Sequence, residues 1–166
     1  VSQKAAEGAQ LKKLILLDSA PCRAVTEGYL ELDQKRKGMT ETTFIPQPDG
    51  TLLWAKDRDK TRVLLFEKNK VSAEVLTETV DCLGRESALV LQRHALLAID
   101  PGKITCPVYV LGRTGLGNKK NPNLWDALAD YLQAADRSIR DDMSHNMMLE
   151  NDWREHAALI HKWCSE

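Results

Sequence analysis

The chain has 166 residues, enough to bury one sizeable core and too few for two comfortable domains. Its 43% hydrophobic and 28% charged residues are those of an ordinary globular protein, outside the disordered and fibrous classes. With 23 basic against 24 acidic residues the formal charge is −1, which leaves no electrostatic footprint for a nucleic acid or an anionic membrane, and neither is expected as a partner. Cys22, Cys82, Cys106 and Cys164 form no C-x-x-C pair, which argues against a zinc knuckle or a thioredoxin-like motif; reduced thiols in a cytoplasmic protein are expected. No apolar run approaches the roughly 20 residues of a spanning helix.

In chain order, "VSQKAAEG" reads as the tail of a helix ending at Gly8. The apolar run Leu14 to Leu17 in "LKKLILLDSAP" predicts a parallel strand covered on both faces, closed by Asp18, Ser19 and Pro21. Helical spacing follows through Val25, Tyr29 and Leu32 as far as Gly38. "TTFIPQPDGTLLWAKD" predicts two short strands about the turn Pro48-Asp49-Gly50. Lys56 to Arg62 mixes both signs of charge and reads as solvated surface. Ser72 as N-cap with Glu74 in the first turn opens a helix, and "ESALVLQRHALLAI" predicts a second one after Gly84.

The texture then changes. "CPVYVLG" predicts a second buried strand, with Pro107 at its start where a missing N–H is tolerated. Leu124, Leu128 and Leu132 mark an amphipathic helix, "DRSIRD" a short strand, and "ENDWREHAALIHKWC" a last helix with Trp153, Ala157, Ile160 and Cys164 on one face. Between these last two elements lies His145, in a loop at a strand end where binding and catalytic groups are commonly presented. By position alone a surface or capping histidine is the plainer reading.

Three blocks in this order, "LKKLILLDSAP", "DPGKITCPVYVLG" and "DRSIRDDMSHNMMLENDWREHAALIHKW", resemble the C-terminal half of an α/β-hydrolase. The resemblance implies an α/β fold with a mostly parallel sheet and an inserted cap. Residues 1–21 would be a core helix and strand, 22–103 the cap with its hairpin and helices, and 104–166 the remaining core strands, the catalytic-histidine loop and the last helix. It also implies a serine-type hydrolase of an ester, thioester, amide or related acyl bond in a small-molecule substrate, with His145 as general base. No G-x-S-x-G motif is present, and the resemblance would put that elbow about half a dozen residues before Val1. The nucleophile is therefore expected from an N-terminal segment or a companion chain, and this chain alone is expected to be inactive.

The family's acid commonly follows the strand "PVYVLG", but the corresponding residue here is Gly115. Some members place the acid after the preceding strand, where this chain has Asp18; the plain alternative is that Asp18 only caps a turn. Phe44, Trp54 and Met147 are candidate substrate contacts, or else packing residues. No cofactor is expected. No metal site is expected either, because His156 and His161 are five apart and do not share a helical face as an i, i+4 pair would. His94 reads as a core histidine. "GRTGLGNKK" lacks the spacing and the hydroxyl of a P-loop and reads as a loop. A non-catalytic relative that binds a ligand or partner is the rival reading.

Overall fold

The computed structural model describes residues 7–8, 10–19, 22–26, 43–67, 70–88, 98–114 and 123–165. The chain forms two compact units, one of residues 1–29, 94–143 and 160–166, the other of residues 30–93 and 144–159.

The first unit is built on a parallel sheet. Strand β1 (Leu14–Leu17) pairs with β5 (Val108–Arg113), which pairs in turn with β6 (Asp136–Arg140), in the order β1-β5-β6. Central β5 is buried from Val108 through Gly112, as expected of a strand with neighbours on both edges and cover on its faces. Edge strand β1 differs from the expectation. Leu14 and Leu16 are buried, but Ile15 is half-buried and Leu17 is 36% exposed, so only one face is covered among the described residues. The apolar run could not reveal this, since continuous hydrophobicity fits either arrangement.

Helix α1 is described over Arg23–Thr26; Tyr29, Leu32 and the rest of the expected helix lie outside the described residues. The helix expected from Leu124 runs from Leu124 to Tyr131 and is here α4. It starts because the Asn123 side chain accepts from the Trp125 and Asp126 N–H groups, at 2.9 and 3.1 Å. It buries Leu124, Trp125, Leu128 and Ala129 and packs on β5 and β6. Gly112 permits that approach, because a Cβ there would run into the Trp125 side chain.

In the second unit the expected hairpin is present. Strands β2 (Phe44–Pro46) and β3 (Thr51–Trp54) pair antiparallel about Gly50, whose φ of 76° suits glycine. A third strand, β4 (Arg85–Ser87), adds to β3 and takes the first two residues of the expected helix, Glu86 and Ser87, because backbone pairing with Thr51–Leu53 overrides local propensity there; Ala88 is helical, and residues 89–97 of that helix lie outside the described residues. His94 lies outside the described residues. The charged stretch read as plain surface supplies helix α2 (Arg58–Leu65), capped by Asp57. Helix α3 (Ala73–Cys82) begins at Ser72 as expected. The two helices pack together, and Phe66, Leu76 and Val80 form a core with Leu65 and Val71.

The last helix, α5, runs from Trp153 to Ser165. Its buried positions are His156 and Trp163, whereas Trp153 and Cys164, placed by periodicity on the buried face, are exposed. Among the described residues no helix is long and apolar enough to cross a membrane.

Candidate active site

Asp18 stands at the carboxyl end of β1. Its φ is 40°, in the left-handed region that aspartate tolerates better than most residues. Its N–H donates to the Leu111 carbonyl at 2.8 Å, which ties the turn to the central strand. The side chain is 1% exposed, and Arg113 donates through Nε to Asp18 Oδ2 at 3.0 Å. Arg113 closes β5 and lies over the Trp125 ring, 5.4 Å from its centre. The carboxylate is thus a fixed, buried, ion-paired group at the end of the sheet.

His145 lies five residues beyond the end of β6, in a turn, and is exposed. Its neighbours hold the loop. Ser144 is fully buried, and its N–H donates to the Glu150 carboxylate at 3.2 Å. The Asn146 N–H donates to the Leu65 carbonyl at 3.0 Å, and that of Asn151 to the Lys70 carbonyl at 2.9 Å. Met147, in a 3-10 turn over Met147–Leu149, is 2% exposed. The loop is therefore pinned on both sides of an outward-facing imidazole. Glu150 and Lys70 were missed by sequence reasoning, since an acid reaching six residues back to a backbone N–H follows no helical or strand period.

Asp18 falls in the first unit and His145 in the second. Of the three candidate substrate contacts, Phe44 and Trp54 are cross-strand partners whose rings meet edge to face with centres 4.5 Å apart. Such a pair stabilises a hairpin by itself. Met147 is packed rather than open.

No family model matches the chain, and no curated protein does. Among solved structures, polyneuridine aldehyde esterase superposes with a TM-score of 0.60 at 13% identity, over 96% of this chain and 64% of that one. A histidine-to-alanine mutant of the same esterase gives 0.55 at 12% identity, over 90% of this chain and 61% of the other. That esterase is an α/β-hydrolase. The chain has an α/β-hydrolase fold. It spans less than two thirds of the length of the esterase structures it resembles. In an α/β-hydrolase-like parallel sheet, ligands gather at the carboxyl ends of the strands. β1, β5 and β6 run the same way, so Asp18, Arg113 and the chain beyond Arg140 all leave the sheet at that edge.

Proposed function

We propose that this chain is the C-terminal portion of a serine-dependent α/β-hydrolase that cleaves an ester, thioester, amide or related acyl bond. His145 is its general base, Asp18 the acid behind that base, and a segment or companion chain upstream of Val1 supplies the nucleophile. What supports the reading is the parallel sheet of the first unit, where the buried carboxylate of Asp18 ends β1 and the chain that leaves β6 at the same edge leads on in sequence to His145.

The chemistry requires such a pair. A serine hydroxyl becomes a useful nucleophile when a neutral imidazole takes its proton, and the same imidazole then protonates the leaving group. A buried carboxylate fixes the imidazole's tautomer and stabilises the imidazolium formed in between. Phe44, Trp54 and Met147 are assigned to the acyl pocket in this reading. In the complete protein, His145→Ala and Asp18→Asn should each lower kcat by about 10⁴-fold with little change in KM. Full activity of both variants refutes the assignment, and robust turnover of a p-nitrophenyl ester by the 166-residue chain alone refutes the upstream nucleophile.

The Arg113–Asp18 ion pair favours a second reading, a non-catalytic α/β-hydrolase-like protein that binds a ligand or partner. Arg113 already occupies one oxygen of the only candidate acid that sequence reasoning found at a strand end. A complete protein that folds, binds small esters and leaves them uncleaved would establish it.

A further inference from the structure

We infer that Glu150, Asp152 and His156 form a binding site for one divalent cation of the zinc class, separate from the proposed acyl chemistry. Each offers one donor atom, and the three donors lie within 4.8 Å of one another. The arrangement follows from the start of α5. Asp152 precedes the helix by one residue and His156 is four residues on, so both side chains project on the same side, and Glu150 reaches the same point from the turn before them. All three belong to the second unit.

The imidazole points to a missing ligand. His156 is 2% exposed, and neither ring nitrogen has a hydrogen-bond partner among the described residues. The Asp152 Oδ1 atom, also buried and without a hydrogen bond, lies 4.0 Å from Nε2, too far to accept from it. Buried polar atoms are nearly always satisfied, and a ring nitrogen and a carboxylate oxygen that stand buried, unpartnered and 4.0 Å apart leave room for a shared ion. Glu150 has a single partner to balance its charge. Its side chain is buried, yet its one hydrogen-bond donor among the described residues is the Ser144 N–H. A buried carboxylate with so little compensation attracts a cation.

One imidazole and two carboxylates suit a borderline ion such as zinc, with a water in the fourth position. Zinc bonds of about 2.0–2.2 Å would draw the donors together by roughly 1 Å. Solvent reaches the site beside Asp152, whose side chain is 22% exposed. Lys70 stands there as the competing cation, its ammonium 2.7 Å from Asp152 Oδ2. That contact engages only Oδ2 and leaves Oδ1 turned toward His156. Two carboxylates and one ammonium leave a formal charge of −1, so the entering ion is attracted and works against Lys70.

The test is calorimetric titration of the 166-residue chain with zinc ions alone, after its thiols are alkylated so that the exposed Cys82 and Cys164 cannot bind. One equivalent should bind with micromolar affinity. His156→Phe should weaken binding at least tenfold, and His161→Gln on the exposed side of the helix should leave it unchanged. Lys70→Met should tighten it several-fold by removing the competitor, an effect that a merely structural cluster would not produce. Cobalt in place of zinc should give visible d–d bands without a thiolate charge-transfer band. Absence of saturable one-equivalent binding overturns the site, as does a folded His156→Phe chain that binds like the parent. Should His156→Phe fail to fold, Lys70→Met decides: unchanged or weaker binding overturns the proposal.

Discussion

Arg113 Nε donates to Asp18 Oδ2 at 3.0 Å across the ends of two adjacent parallel strands, with the carboxylate 1% and the guanidinium 11% exposed. Removing one partner of a buried ion pair costs about 3–5 kcal/mol, whereas removing both is much milder. Arg113→Met should therefore destabilise the chain by about that amount in urea titration. The double variant Arg113→Met with Asp18→Asn should recover at least about 1 kcal/mol of the loss, since Asn keeps the left-handed turn without the charge. Additive losses would show that the pair is not coupled.

Gly112 should resist enlargement. A methyl group there meets the Trp125 side chain, which is itself 3% exposed and has no room to retreat. Gly112→Ala should cost about 1–3 kcal/mol by overpacking, read as a lowered midpoint in thermal unfolding. An unchanged midpoint would mean that α4 moves off the sheet freely.

Trp163 should be a main anchor of the last helix. It is fully buried, donates through Nε1 to Asp136 at 2.8 Å, and lies 5.3 Å from the Tyr109 ring; Lys13 donates to its carbonyl at 2.7 Å. Trp163→Phe keeps most of the volume and should cost about 1–2 kcal/mol, while Trp163→Ala should cost about 3–5 kcal/mol. Equal losses in denaturant titration would contradict this division between packing and hydrogen bonding.

Acid should loosen α2 through its cap. The Lys60 N–H, followed by lesser contributions from the Lys60 charge and the Asp59 N–H, holds the Asp57 carboxyl below its ordinary value. A lowered folded-state value means that the stabilisation is present above the unfolded carboxylate range and is lost as pH falls through the folded value. Amide exchange at Asp59 and Lys60 should therefore speed up, relative to the intrinsic rate, as the pH drops below about 4. Asp57→Asn keeps an acceptor that does not titrate and should flatten that dependence.

Sequence alone determined the elements whose signals are local. The turn at Pro48-Asp49-Gly50, the Ser72 cap and the apolar runs at Leu14 and Val108 each act within a few residues, and each element formed where expected. The three quoted blocks likewise pointed to the α/β-hydrolase fold. Tertiary structure decided what depends on distant partners. Glu86 and Ser87 joined a sheet because β3 offered an edge, and the buried side of the last helix turned to His156 and Trp163 rather than Trp153 and Cys164. The histidine pair that was weighed for metal shares no face, whereas Glu150 and Asp152 come to His156 through a turn with no sequence period. Asp18 could be read as a turn residue or an acid, and its Arg113 partner lies 95 residues away. Periodicity reports which face is apolar; only the folded chain settles which charges share the interior, because their pairing depends on contacts between strands and loops far apart in sequence.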